Sequence, residues 1–254
     1  GTYAPDENTK VTLTESGEFD DNYYPIGGMK TSAGYSRFNQ NGNSAEYVGY
    51  MYEIGQQHGT SQSSDIKTYL EDWYANYTDL NASETKITDQ IFCNDRTSSI
   101  SSSGTAGEIS SWASTGTTYY YGADLRLYGD SSNPSPSLKC TNANDKFTTT
   151  IAKGNGKLSY PVGLITADEV NMAGADNQRS SNSSYYLYTG NYYCAGSPSG
   201  FSDGRNAYEF IVAGDGCLDH DYLNGSIGVR GVVSLSSESK LLGSGTYNDV
   251  YIVN

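Results

Sequence analysis

The chain has 254 residues, 36% of them hydrophobic, with 24 Tyr against 6 Phe, 29 Gly and a formal net charge of −14. Phosphate binding needs clustered Lys and Arg, and no basic run occurs, so the charge argues against a nucleic-acid partner; nor is any stretch long and apolar enough to span a membrane. Gly, Ser, Asn and Thr are weak helix formers, so a mostly helical protein is excluded and short strands with many turns are expected.

Residues 1–44 are polar and lack helical periodicity, and read as an N-terminal extension or first strands. Within them VTLT (11–14) suggests a short edge strand, and Asn22-Tyr-Tyr-Pro and Ile26-Gly-Gly read as turns. The opening GTYAPDENTK has no hydrophobic region of a signal peptide, as expected of a mature or trimmed extracellular chain. Residues 45–254 read as one domain. AEYVGYMYEI (45–54) predicts a buried strand closed by Gly55. From Asp65 to Tyr77, Ile66, Tyr69, Leu70, Trp73, Tyr74 and Tyr77 repeat at helical spacing and predict an amphipathic helix whose aromatic stripe packs on the core. Thr97–Thr118 is Ser-, Thr- and Gly-rich around Trp112, a long loop ordered if Trp112 docks. TYYYGADLRLY (118–128) has strand or short-helix character, and SSNPSPS (131–137) is turn-rich. LSYPVGLIT (158–166) predicts a strand carrying Pro161. TADEVNMAG (166–174) predicts a short helix with a Thr166/Glu169 capping box, ended by Gly174. The last third alternates: 185–194, 207–213, 221–226 and 228–235 read as strands, with a hairpin turn at Gly214-Asp-Gly216 and a final strand at VYIV. Early helices followed by late, short antiparallel strands imply an α+β fold.

The four cysteines form no CxxC pair, so a zinc ribbon or thioredoxin-type site is not indicated. Their spacing suggests two local bridges, Cys93 with Cys140 and Cys194 with Cys217. Three connectivities are open to four cysteines, and the alternative is four buried thiols in a reducing compartment; bridging would place the protein outside the cell.

Catalytic constellations are weak. His220 lies in LDHDY, but neighbours in a strand point to opposite faces, so Asp219, His220 and Asp221 do not form a relay by adjacency. His58 sits in a Gln- and Gly-containing turn, and no GxSxG elbow occurs. Carboxylate pairs of glycosidase type are uninformative among 29 acidic residues. KGNGK (153–157) lacks the spacing of a phosphate loop and reads as a turn. Asp215, Asp219 and Asp221 cluster, but no terminal Glu completes a calcium loop; calcium is possible, the metal content otherwise unknown and no other cofactor expected. The residues point to a non-enzymatic protein.

From Tyr192 to Arg230, Tyr192, Tyr193, Phe201, Tyr208 and Tyr222 are interleaved with short polar residues. Paratopes use this mixture: Tyr supplies rigid contact area, and Ser, Gly and Asn supply adaptable hydrogen bonds. An ordinary Tyr-rich sheet with a polar outer side has the same composition.

NYYCAGSPSGF (191–201), the GDG turn (214–216), NGSIGVRGVVSL (224–235) and SGTYNDVYIV (244–253) resemble the C-terminal half of C-type-lectin-like domains of the formylglycine-generating-enzyme-like branch. VGYMY, IKTYLEDWY, IFCNDR, LKC and YPVGLITADEV extend the likeness from about residue 45 to 254, toward the bacterial surface proteins varied by diversity-generating retroelements. The resemblance implies a C-type-lectin-like fold with short antiparallel strands, two helices and long loops, and an extracellular or cell-surface adhesin- or receptor-like protein. Its partner would be an unidentified protein or glycan, bound on a late strand-and-loop face. The sugar-binding EPN and QPD motifs and the copper-ligating cysteine pair are absent, so neither calcium-dependent sugar binding nor the formylglycine activity is implied. The ligand face expected is Tyr193, Phe201, Ser202, Asp203, Arg205, Asn206, Asp219, His220, Asp221, Tyr222 and Asn224. Pro198, Phe210, Ile211, Val212, Leu218, Leu223, Val229 and Arg230 are expected to be scaffold. The competing readings are an extracellular glycan-active enzyme and a structural pilus or surface-layer subunit.

Overall fold

A computed structural model describes residues 34–76, 86–175, 180–185, 187–204 and 206–244, with the backbone of Ile252–Val253. The expectations at 11–14 and 22–28, and those for Tyr77 and Arg205, lie outside the described residues. The main sheet has seven strands: β1 (Gly34–Ser36), β2 (Ser98–Ser99), β3 (Tyr119–Tyr121), β4 (Tyr193–Ser202), β5 (Asn206–Val212), β6 (Leu218–Tyr222) and β7 (Ile227–Val229). Three α-helices occur among the described residues: α1 (Asp65–Asn76), α2 (Gly122–Leu127) and α3 (Ala167–Met172). The fold is therefore α+β, mostly strand.

The ten-residue β4 organises the sheet. Along one edge it pairs antiparallel with β5. Its other edge is shared: β7 runs parallel to it at Tyr193, and β3 pairs antiparallel with it at Phe201. The parallel contact needs Gly228, whose backbone comes so close that a Cβ would lie 2.3 Å from the Tyr192 carbonyl oxygen. β1 pairs antiparallel with β7, so the segment ahead of residue 45 contributes an edge strand to the same sheet. β5 returns as β6 through Gly214-Asp-Gly216, where Gly216 holds φ +86° and Gly216 N–H bonds Ala213 C=O.

Hydrophobic cores lie on both sheet faces because β4 and β5 are buried on both. Ile211, Cys194 and Phe201 enter the first core, against Ile66, Leu70 and Tyr74 of α1 and with Tyr121 and Phe147. Phe210, Val212, Tyr193 and Ala195 enter the second, under Leu127 of α2 and Val170 of α3. The helical spacing in α1 thus delivers Ile66, Leu70 and Tyr74 to one core, and Tyr69 and Trp73 pack beside them.

The α3 capping box is present: Thr166 Oγ1 accepts the Glu169 N–H, and Glu169 Oε2 accepts the Thr166 N–H at 2.9 Å. Thr166→Ala is expected to cost about 1 kcal/mol, read as a shift of the urea midpoint at unchanged slope; an unmoved midpoint would count against the cap.

Several expected strands differ: 221–226 is replaced by Leu218–Tyr222 and a turn, and 228–235 is split into Ile227–Val229 and Ser234–Leu235. Residues 45–54 form a 3-10 turn at Ala45–Val48 and only a two-residue strand, Met51–Tyr52, paired with Gln62–Ser63. The Tyr50 N–H is taken by Asn94 Oδ1 at 2.9 Å, and Gly49 N–H closes back on Glu46 C=O, so these donors never reach a neighbouring strand. Residues 158–166 form a single bridge, Gly163 to Val232, because Pro161 has no donor and Val162 N–H turns back to Tyr160 C=O. Similarly, 187–192 holds turns and bends, and β4 begins at Tyr193.

Cys93 and Cys140 form a disulfide with Cα atoms 5.8 Å apart. Closing a 47-residue separation, it stabilises by about 4 kcal/mol on the chain-entropy account. The expected Cys194–Cys217 bridge is not formed, and both residues remain buried thiols. Cys194 pairs with Ile211 of β5, while Cys217 lies beyond β5, its carbonyl accepting the Ala213 N–H. One strand between them, with a two-residue offset along it, sets them at least about 9–10 Å apart, past the roughly 7 Å reach of a disulfide. Burial pushes the Cys194 thiol well above its ordinary pKa, and the nearby Glu209 and Asp221 push it further.

Candidate functional site

The ladder between β5 and β6 sets which side chains share a face. Leu223 N–H donates to Ala207 C=O and Ala213 N–H to Cys217 C=O, so the odd-numbered β5 residues are the hydrogen-bonded ones. Tyr208–Tyr222 and Phe210–His220 are then non-hydrogen-bonded pairs, whose side chains approach more closely. The Tyr208 and Tyr222 rings stand 5.0 Å apart, and the Tyr208 and His220 rings meet edge to face at 5.3 Å. Beneath them Tyr128 packs on Phe210 at 5.4 Å and donates its hydroxyl to Leu218 C=O, which holds the base of this ladder rigid. The second core ends at Phe210 and Leu218, and Tyr222, at 49% exposure, stands in solvent.

The polar residues of the two adjoining turns collect at this open end. Asn206 pairs with Ser202, Asp203 occupies the intervening turn with its N–H on Thr118 Oγ1, and Asn224 lies in the turn after β6. Burial raises the Tyr208 phenol above its ordinary value of 10.0, a hydrogen bond with Tyr222 adds to the shift, and one with Ser202 opposes it. The geometry thus offers two phenol rings, an imidazole and a belt of amides and hydroxyls on one rigid surface, suited to stacking and hydrogen bonding.

The expected ligand face separates into three groups. Ser202, Asp203, Asn206, His220, Tyr222 and Asn224 come together at this end. Asp219 and Asp221 belong to the opposite face of β6, across from Ile211 and the buried Glu209. Their carboxylates accept the N–H groups of His220 (2.8 Å) and Tyr222 (2.7 Å). Those donors point outward from the sheet, so the aspartates cap the edge of β6 against pairing with a further strand. Tyr193 and Phe201 are corrected from display to core, at 2% and 1% exposure. Tyr193 lies under the Arg230 guanidinium, 4.7 Å from its ring centroid, and Phe201 fills the first core where β4 meets β3. Seven of the expected scaffold positions are buried, while Arg230 is half-buried.

No protein-family model, curated protein or solved structure matches this chain.

Tyr208 stands at the centre of the open end; its two-residue offset from the core residue Phe210, on the same strand face, is the sequence signal that places it. Tyr192 is 57% exposed but lies at the other end of the sheet, with its ring close to Gly214. No group of three or more acidic, His or Cys side chains suited to a metal occurs among the described residues, and no helix among them is long and apolar enough to cross a membrane.

A second arrangement escaped the sequence. Arg96, fully buried, donates from Nε to Asp145 Oδ1 (2.8 Å) and from Nη1 to Met51 C=O and Gly59 C=O. His58 Nδ1 lies 2.9 Å from Asp145 Oδ2, and His58 Nε2 lies 3.0 Å from Glu108 Oε2. No nucleophile is hydrogen-bonded to this His, since both of its nitrogens face carboxylates, so the cluster reads as a structural tie between loops.

Proposed function

We propose that this protein is an extracellular ligand-binding protein of adhesin or receptor type, non-enzymatic, with a C-type-lectin-like scaffold and a binding face at the open end of β5 and β6. The observation that carries this reading is the Tyr208–His220–Tyr222 ring cluster, left uncovered by the helices and belted by Ser202, Asn206 and Asn224. Rigid aromatic contact area surrounded by short polar groups is the composition of a recognition surface. The Cys93–Cys140 disulfide supports an oxidising compartment. The partner is a protein or glycan on another surface, and variation of this face by a retroelement is part of the proposal.

The test is to probe arrays of surface proteins and glycans with the biotinylated chain, alongside Tyr208→Ala/Tyr222→Ala. The expected result is a partner bound by the parent and lost by the variant, with the melting temperature moved by only a few degrees. Collapse of the fold, or undiminished binding by the variant, would sink the assignment. A near-copy of the codons for 192–230 beside a reverse-transcriptase gene is the expected genomic mark of diversification; without it the claim of variation falls and the binding claim stands.

A further inference from the structure

A cleft of about 330 Å³ lies among residues 90–93, Asp95, 137–140, Lys146, the start of α3 and Val232, and no residue of β5 or β6 lines it. That volume is at the small end of small-molecule sites, which run from about 300 to 1,000 Å³. The disulfide shapes one wall. Lys146 is the register partner of Cys93, and Lys139 directly precedes Cys140, so the covalent link brings two lysines to the same cleft.

The carboxylates lining the cleft are already engaged. Asp168 accepts from Arg126 Nε (2.7 Å) and Nη2 (2.8 Å), and Asp95 accepts from Arg126 Nη1 (2.8 Å). Glu169 accepts both the N–H and the hydroxyl of Thr166. Asp145, next to Lys146, is held by Arg96 and His58. Neither lysine ammonium has an ion pair or side-chain hydrogen bond among the described residues. The lining carries as many carboxylates as cations, but the carboxylates gather on Arg126 and at the start of α3, whereas the two lysines at the disulfide wall are left without a counter-charge that an incoming anion would supply. Apolar surface adjoins them: Leu138 is 70% exposed and Ile91 44%, with Leu164 buried behind.

We propose that this cleft binds a small organic anion, a carboxylate or phosphate ester, with its charge at Lys139 and Lys146 and an apolar body against Ile91, Leu138 and Leu164. Lysine acts as a point charge and serves either anion, whereas the guanidinium fork of Arg126 is occupied. The site is separate from the Tyr208–Tyr222 face and does not depend on it.

The experiment is an amide NMR titration of the whole chain with four probes of one shape: benzoate, phenyl phosphate, neutral benzamide and cationic benzylamine. Benzoate or phenyl phosphate at millimolar concentration is expected to shift the amides of Cys93, Leu138 and Lys146, and the stronger of the two names the anion. Benzamide is expected to bind at least about tenfold more weakly, and benzylamine to leave these amides unmoved. Lys139→Gln/Lys146→Gln should weaken the anion by at least about tenfold while the remaining spectrum stays superimposable, and added salt should weaken it in the parent. Equal response to benzamide or benzylamine, undiminished binding by the double variant, shifts confined to other regions, or no response to either anion would overturn the proposal.

Discussion

Asp145→Ala is expected to destabilise the fold by about 3–5 kcal/mol, because removing one partner of a buried ion pair strands the other charge. Arg96 and Asp145 are both 0% exposed. The Asp145 carboxylate receives the Arg96 Nε–H and, at Oδ2, the Arg96 backbone N–H at 2.8 Å. It also faces His58 Nδ1 at 2.9 Å. The guanidinium in turn donates to Met51 C=O at 2.7 Å and Gly59 C=O at 2.8 Å, so one ion pair ties the 51–59 segment to the loop that carries Cys140 and Lys146. With Ala at 145, Arg96 keeps its carbonyl partners but has no counter-charge in a region from which water is excluded. Urea unfolding should show a lower midpoint at unchanged slope. The doubly apolar Arg96→Met/Asp145→Leu should recover part of the loss, since it strands no charge. A single-variant loss below about 1 kcal/mol would mean that water reaches the pair and that it behaves as a surface bridge.

Glu209→Met is expected to stabilise the protein, and increasingly so as pH rises. Glu209 is buried in β5 at 2% exposure, and neither carboxyl oxygen has a hydrogen-bond partner among the described residues. It sits between two register breaks of the β4–β5 ladder and opposite Asp221. Burial raises its pKa well above the ordinary 4.5. In the unfolded chain it ionises near the ordinary value, so above that pH the folded state holds a proton that the unfolded state has released. Parent stability is therefore greatest below about pH 4.5 with respect to this group and falls as pH rises toward the folded pKa. The slope is about 1.4 kcal/mol per pH unit within that window. Methionine, of similar length and without polar oxygens, removes both the unpaired-group cost of about 1–3 kcal/mol and the pH dependence. The check is the difference in unfolding free energy between variant and parent at pH 4.5, 6 and 7.5. A difference that is flat with pH, or that favours the parent, would show that Glu209 is solvated or paired.

Both residues show where reading the chain succeeds and where it stops. The hydrophobic spacing of α1 and the Thr166/Glu169 capping box were legible because helices are made by contacts three and four residues apart. Gly214-Asp-Gly216 was legible as a turn because its left-handed residue demands Gly. Residues 45–54 were not, since their strand-like composition gave no sign that Asn94, far along the chain, would take the Tyr50 N–H. Arg96 and Glu209 gave no local warning of being buried, and charge alone would have placed both in solvent.

The expected ligand face divides in the same way. By itself the sequence determined an α+β chain, acidic, rich in Tyr, with a C-terminal stretch of alternating aromatic and short polar residues. It also determined that His220 and Asp219 lie on opposite faces, because strand alternation is a property of the backbone. Tertiary structure decided which face met a core. Covering helices bury Tyr193 and β3 buries Phe201, while Tyr208 and Tyr222 extend past the last covering residue. It also decided the cysteines: a strand inserted between Cys194 and Cys217 keeps them as thiols, whereas the short ladder that brings Lys146 to Cys93 lets Cys140 close on it. The physical reason is common to both: local order follows from neighbours in sequence, but burial and bridging depend on which distant segments the packed sheet brings within a few ångströms.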